Sequence, residues 1–197
     1  MSPAAPRERL IKAAESNFRR HGYRRTTVDD ITREAGTGKG SFYLHFDSKE
    51  AAYLAVVEAS LERFLERAEA ALRREASAPE RLRALVQVTS DHYGRDELLR
   101  SSLFGDGSLV AGQVSRRAAD LQRARISELL ADTLAAGVVE GSVRPAIDPA
   151  ATAQVLFEIG WAVVLTGFRG VGSLPFDRAL DVLNDVVGLG LLSRPAR

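Results

Sequence analysis

A glycine-rich run near the N-terminus combines lysines, aromatic residues and a histidine, and these residue types could bind phosphate. Residues 35–50 read AGTGKGSFYLHFDSKE. The phosphate loop of nucleotide-binding proteins needs a glycine five positions before its Gly-Lys pair and Ser or Thr directly after the lysine. Around the pair Gly38-Lys39, these two positions hold Arg33 and Gly40. That loop also follows a buried strand, whereas residues 28–35 have the apolar spacing of a helix, so the run does not predict a nucleotide site.

The remaining polar residues give little support for catalysis. The chain contains no cysteine, which excludes disulfides, thiol nucleophiles and thiolate metal ligands. Asp91 and His92 could bind a metal or transfer protons, but an isolated histidine on a helix is more often a satisfied or exposed side chain. No Ser/His/Asp or paired-carboxylate spacing suggests a reaction. We therefore expect no enzyme activity, no metal site and no cofactor.

Composition and charge favour a globular protein with an anionic partner. Apolar residues make up 45% of the 197 residues, and the formal net charge is +1. Residues 1–50 carry ten Lys or Arg and seven Asp or Glu, so they have a charge of +3 and the remainder has −2. A basic head on a mildly acidic body suits an anionic polymer better than a membrane. The longest weakly polar stretch, 159–168, is too short to span a bilayer, so we expect a soluble, cytoplasmic protein.

Hydrophobic periodicity predicts helices along the whole chain and no sheet. Glycines 22, 36 and 137 are expected to end helices, Thr26 or Thr27 to begin one, and Ser48 to cap a long one. The expected helices cover 7–20, 28–35, 39–46, 49–72, 79–92, 96–104, 115–136, 150–168 and 177–192. The predicted fold class is all-α, with an N-terminal three-helix domain at 1–47 and a larger helical domain at 48–197.

Two short helices separated by a glycine-bearing turn have the form of a helix-turn-helix. Such a unit places its second helix in the major groove of DNA. Small residues at 38, 40 and 41 would let the start of that helix approach the duplex closely. The expected donors to phosphates or base edges are Lys39, Tyr43, His45 and Lys49. The expected inward residues are Phe42 and Phe46, packed with Phe18, Ile31 and Ala35.

The segment from Thr26 to Glu50 reads T-T-V-x-x-I-x-x-x-A-G-x-x-x-G-x-F-Y-x-H-F-x-S-K-E. It resembles the DNA-binding signature of TetR-family transcriptional regulators, and residues 137–153 resemble the approach to that family's dimerisation helices. The resemblance implies a three-helix reading head, a connecting fourth helix and a C-terminal domain for ligand binding and dimerisation. It implies phosphate contacts at Thr27, Tyr43, His45 and Lys49, and groove-facing positions at Thr37, Lys39, Gly40 and Ser41. Thr37-Gly38 and Leu44 depart from the residues that are common in this signature.

The C-terminal aromatic residues have two interpretations. They could line an apolar effector cavity, as the resemblance implies, or they could be ordinary core of a helical body. The candidate effector-binding residues are Tyr93, Phe104, Phe157 and Trp161, with Phe168 as a further aromatic residue in this part of the chain.

Apolar stripes on the last two helices predict a homodimer through 150–168 and 177–192. The stripes consist of Val155, Ile159 and Val163, then Leu180, Leu183, Val187 and Leu191, although packing within one chain could also use them. A two-fold dimer would match a palindromic operator in double-stranded DNA. We therefore predict a ligand-responsive regulator, most simply a repressor that a small-molecule effector releases from its operator. The alternatives are activation, a helical protein-interaction adaptor, or a small helical enzyme that uses His92.

Overall fold

A computed structural model describes residues 5–95 and 111–192, and within these ranges the protein is built from α-helices. Their bounds are α1 Pro6–Arg25, α2 Val28–Ala35, α3 Lys39–His45, α4 Lys49–Leu72, α5 Ala78–Arg95, α6 Ala111–Val139, α7 Pro149–Arg169 and α8 Phe176–Leu191. Among the described residues, the β-type pairing amounts to one isolated bridge between Val143 and Leu192. The predicted all-α class is confirmed. The helix predicted at 96–104 lies outside the described residues.

The short helices near the N-terminus begin and end where local chemistry favours it. Thr27 caps α2, because its hydroxyl accepts from the Asp30 N–H while the Asp30 carboxylate accepts from the Thr27 N–H. Gly36 ends α2 in the left-handed conformation, with φ 63° and ψ 38°, which glycine adopts without a steric penalty. Ser48 caps α4 by accepting a 3.2 Å hydrogen bond from the Ala51 N–H. These three residues fix the ends of the elements on either side of α3.

The N-terminal helices enclose a small aromatic and aliphatic core. Phe18 of α1, Ile31 of α2 and Phe42 of α3 are each at most 1% exposed. Phe18 also packs edge-on against Tyr53 of α4, with ring centroids 5.1 Å apart. Asn17 ties α1 to α2 by donating a 2.8 Å hydrogen bond to Glu34. This core holds α3 by one face only.

The described residues form two compact units. The first comprises 5–62 and 111–118, and the second comprises 63–95 and 119–192. The predicted domain boundary at 47/48 stays a prediction.

In the second unit, Asp148 again gives a helix a recognisable N-cap. The end of α6 near Gly137 differs from the prediction. Asp148 caps α7 by accepting from the N–H groups of Ala150 and Ala151. Helix α6 does not end at Gly137 but continues to Val139. A Cβ at Gly137 would lie 2.5 Å from both Ala78 and Val143, so this glycine serves close packing rather than helix termination. In the described part of the chain, no helix is long and apolar enough to cross a membrane.

Candidate nucleic-acid interface and ligand cavity

Helix α3 has one buried face and one exposed face. Phe42 is fully buried, and Phe46, directly after the helix, is 4% exposed. On the other face Tyr43 is 55% exposed and Leu44 is 84% exposed, with Gly40 and His45 also exposed. The Tyr43 ring packs edge-on against Phe42 at 5.4 Å, which limits the directions its hydroxyl can take. The exposed face is therefore held rigidly by the aromatic core beneath it.

Lys39 stands at the start of α3 with its ammonium group paired to the preceding helix. Its Nζ lies 2.8 Å from Oδ1 of Asp29, and the two side chains are 60% and 54% exposed. The hydrogen bond and the negative charge of Asp29 raise the pKa of Lys39. Because the pair is open to solvent, Lys39 can exchange Asp29 for another anion at small cost.

The other predicted groove and phosphate positions surround the same turn. Thr27 is exposed at the N-cap of α2, Gly40 is exposed, and Ser41 is half-buried. A Cβ at Gly40 would meet nothing within 4 Å, so the backbone of α3 is open to a close approach there. Thr37 is half-buried, and its hydroxyl oxygen has no hydrogen-bond partner among the described residues. The contacts of these residues with DNA stay predictions.

Lys49 differs from Lys39 because its ammonium group is used inside the protein. Its Nζ donates to the backbone carbonyls of Tyr23 at 2.9 Å and Thr26 at 2.8 Å, and it lies 4.3 Å from the centre of the Tyr23 ring. A cation at the C-terminal end of α1 is favourable, because the last carbonyls of a helix are unpaired and carry partial negative charge. This geometry makes Lys49 a link between α1 and α4, and its predicted phosphate contact remains untested.

Glu50 completes this link, and neither Glu50 nor Tyr23 was singled out from the sequence. The Tyr23 hydroxyl donates a 2.7 Å hydrogen bond to the Glu50 carboxylate. Burial and this hydrogen bond raise the pKa of Tyr23. The same hydrogen bond lowers the pKa of Glu50. The two residues are far apart in sequence, so local periodicity carried no signal of their contact.

The second unit contains an apolar cavity with a volume of about 110 Å³. Its walls come from α5, α6, α7 and α8, and Phe157 and Trp161 of α7 both line it. Their rings are stacked, with centroids 5.8 Å apart and planes 16° apart. Phe104 and the side chains of Tyr93 and Phe168 lie outside what the structure describes, so their expected roles stay predictions.

The cavity also has three polar lining residues, Thr89 and Ser90 on α5 and Asn184 on α8. The Thr89 hydroxyl donates a 2.7 Å hydrogen bond to the carbonyl of Leu85. Asn184 was missed from the sequence, although a signal existed. It interrupts the apolar stripe formed by Leu180, Leu183 and Val187, at the spacing that places it on the same face.

His92 has the surroundings of a structural residue. It is 5% exposed, its Nδ1 contacts the Arg67 guanidinium, and its ring lies 5.0 Å from that of Phe64. No group of three or more potential metal ligands occurs among the described residues.

The outer faces of α7 and α8 differ in part from the predicted stripes. On α7, Val155 and Ile159 are 53% and 42% exposed, as an intermolecular face requires. On α8, the predicted stripe points inward, because Leu180 is buried and Leu183 and Val187 line the cavity. Among the described side chains of α8, the large apolar residues that are exposed are instead Val182, Val186 and Leu189.

Comparison with known proteins shows which family the chain belongs to. Residues 10–56 match the model of the tetR family of bacterial regulatory proteins. The chain is 31% identical over 192 residues to the HTH-type transcriptional repressor KstR2 of Rhodococcus jostii (strain RHA1), covering 95% of this chain and 91% of the relative. It is 28% identical over 157 residues to the fatty acid metabolism regulator protein of Bacillus subtilis (strain 168), covering 75% and 76%. The crystal structure of FadR from Bacillus subtilis in complex with stearoyl-CoA has a similar fold, with a TM-score of 0.69, 20% identity, and coverage of 93% and 98%.

The exposed reading helix and the full-length similarity define a helix-turn-helix transcriptional regulator. The chain belongs to the TetR family of bacterial regulatory proteins. It is a DNA-binding transcriptional regulator, and its relatives are regulators rather than enzymes.

Proposed function

We propose that the protein is a homodimeric repressor that binds a palindromic operator and is released by a small molecule in the cavity of the second unit. The observation that carries the DNA-binding part is the exposure of Tyr43, His45 and the start of α3, opposite the buried Phe42. In this arrangement Lys39, Gly40 and Ser41 face base edges, while Tyr43 and His45 donate to phosphates. The name of the relative KstR2, a transcriptional repressor, supports repression.

The apolar outer faces of α7 and α8 support dimerisation. Contiguous exposed apolar surface on packed helices favours a partner, and a two-fold partner is a second copy of the same chain. The two copies of α3 would then enter successive major grooves, about 34–36 Å apart, which requires a palindromic site.

The effector would act through the cavity. FadR from Bacillus subtilis was crystallised with stearoyl-CoA, which supports a small-molecule effector for the present chain as well. A coupling of about 1–3 kcal/mol between effector and operator lowers DNA affinity by a factor between several-fold and a hundred-fold.

The test begins by selecting bound fragments from a pool of bacterial genomic DNA and measuring affinity for the enriched fragment by fluorescence anisotropy. Gly40→Glu adds a negative charge where the backbone is open, so we expect at least about a tenfold loss of affinity from repulsion by phosphates. Ser173→Glu adds the same charge in an exposed loop of the second unit and should bind like the parent. Failure to enrich any fragment, or equal binding by the Gly40→Glu variant, would refute the proposed DNA-binding role.

A further inference from the structure

The lining of the cavity limits the chemistry of whatever enters it. Among the lining residues, which all lie in the described part of the chain, none has a charged side chain. An ionised carboxylate or phosphate placed there would lose its hydration without gaining a cation, which is strongly unfavourable. We therefore expect that any group binding inside the cavity is uncharged.

The cavity nevertheless contains a polar side chain that can pair with a ligand. Asn184 is half-buried on the inward face of α8, and no hydrogen bond joins its side chain to another described residue. Its amide provides both a donor and an acceptor, and Ser90 supplies a hydroxyl on α5, a helix that packs against α8. A hydroxyl or carbonyl group on a ligand would satisfy this amide, whereas a hydrocarbon would leave it unpaired.

Gly160 explains why there is space for a ligand. It lies on α7 at the spacing that shares a face with Phe157 and Val164, and it lines the cavity with them. A Cβ at Gly160 would meet nothing within 4 Å. The absence of a side chain there leaves room beside the stacked aromatic pair, and a larger residue would occupy it.

The volume sets the size of the bound group. An apolar cavity of about 150 Å³ in another protein binds benzene. The volume of about 110 Å³ found here is similar but smaller, so it suits a single ring or a short chain. A long acyl chain or a nucleotide would extend beyond it.

We propose that the effector is a small, uncharged, largely apolar molecule with a hydroxyl or carbonyl group, which stacks against Phe157 and Trp161 and hydrogen-bonds to Asn184. This assignment rests on the proposed function, because it names the chemical class of the molecule that the cavity takes. It also makes Gly160 and Asn184 the residues that determine specificity, one by leaving space and the other by pairing with the polar group.

Trp161 allows a direct test because it is the sole tryptophan of the chain. Its fluorescence in the full-length protein is titrated with cyclohexanol and with cyclohexanecarboxylate, which share one ring and differ in charge. We expect a saturable change with cyclohexanol and at least about tenfold weaker binding of the carboxylate. Equal or tighter binding of the carboxylate, or no saturable change with cyclohexanol, would overturn the proposal.

Two variants separate the roles of the lining residues. Gly160→Leu should abolish the cyclohexanol response, while Ala151→Leu, which adds the same side chain at an exposed position of α7, should keep it. Asn184→Leu should weaken cyclohexanol about threefold to tenfold and leave toluene, which has no hydrogen-bonding group, unchanged. Circular dichroism confirms that each variant retains its helical content. A parent-like cyclohexanol affinity in either the Gly160→Leu or the Asn184→Leu variant contradicts the proposed contacts.

These measurements need no DNA, so they are independent of the proposed repression. If cyclohexanol binds as expected but leaves operator affinity unchanged, the effector coupling fails and the assigned chemistry stands. If the carboxylate binds as well as cyclohexanol while an operator is still bound, the assigned chemistry fails and the DNA-binding role stands.

Discussion

Two lysines of the helix-turn-helix segment have different surroundings and should behave differently when removed. Lys39 is exposed and pairs with Asp29, whereas Lys49 donates to two backbone carbonyls at the end of α1. A cation that contacts DNA releases counterions, while a cation used inside the protein contributes to stability instead. The motif implies that Lys39 faces the groove and that Lys49 contacts a phosphate, and both roles assume side chains that DNA can reach. Their contacts within the protein separate the two lysines further.

Lys39→Met should lower DNA affinity and reduce the slope of log affinity against log salt by about 0.9, since one cationic contact is lost. Lys49→Met should leave that slope nearly unchanged and lower the stability of the first unit by about 1–3 kcal/mol, because it removes hydrogen bonds from a charged donor. Anisotropy titrations at several salt concentrations and thermal unfolding measure the two effects. A reduced slope in Lys49→Met without a loss of stability would restore the phosphate contact predicted from the sequence.

The Tyr23–Glu50 hydrogen bond should make the first unit sensitive to acid. The hydrogen bond from Tyr23 holds the pKa of Glu50 below its ordinary value. In the unfolded protein the pKa of a glutamate is about 4.3, and a lower pKa in the folded protein means that the ionised carboxylate stabilises the folded state at pH values above about 4.3. This stabilisation is lost as the pH falls through the lower pKa of the folded protein. Tyr23→Phe removes the donor, so the pKa of Glu50 measured by carbon NMR should rise towards its ordinary value. An unchanged titration of Glu50 in this variant would show that the hydrogen bond is not the cause.

At the scale of elements, two glycines inside helices have opposite roles. Gly137 of α6 lets Ala78 and Val143 approach its backbone, whereas Gly160 of α7 faces open space. Glycine in a helix is unfavourable relative to alanine unless packing requires it. The same substitution at the two positions should therefore change stability in opposite directions.

Gly137→Ala should destabilise the protein by about 1–3 kcal/mol, because the new Cβ overlaps with two buried side chains. Gly160→Ala should stabilise it by about 0.5–1 kcal/mol through the higher helix propensity of alanine. Urea-induced unfolding followed by circular dichroism compares the two variants with the parent. If Gly137→Ala also stabilised the protein, as Gly160→Ala is expected to do, the close contact at Gly137 would relax without cost.

At the scale of the whole molecule, the exposed apolar faces of α7 and α8 should decide the oligomeric state. Val186 is 61% exposed on α8, within the face proposed for the second copy, and Val139 is 89% exposed at the end of α6, a helix that is not part of the proposed face. A glutamate in an apolar interface would be buried without a partner, which opposes association.

Val186→Glu should therefore convert the dimer to a monomer, while Val139→Glu should remain dimeric. Sedimentation velocity of both variants at the same concentration distinguishes these states. The monomeric variant should also bind the selected operator fragment more weakly, because only one reading helix contacts DNA at a time. A dimeric Val186→Glu protein would place the interface elsewhere.

Much of the fold and part of the candidate site could be predicted from local sequence. Local features depend on residues within about four positions of one another. These features are the helices, the caps at Thr27, Gly36 and Ser48, and the burial of Phe42 and Phe46. The role of Lys49, the inward direction of the α8 stripe and the position of Asn184 were not predicted. The first two depend on which element lies opposite, and hydrophobic periodicity does not contain that information. The spacing of Asn184 within the α8 stripe, by contrast, was a signal that the sequence did carry.

The sequence by itself determined an all-α chain with a helix-turn-helix reading head, because the spacing of apolar residues and the capping of helices depend on residues close together in the chain. Tertiary structure decided which lysine stays exposed and which binds backbone carbonyls, which valines face outward and which residues line the cavity. Those outcomes depend on contacts between residues far apart in the chain, such as Lys49 with Tyr23 or Gly137 with Ala78. Such contacts are fixed only when helices pack, because packing brings each side chain to its partner or leaves it exposed.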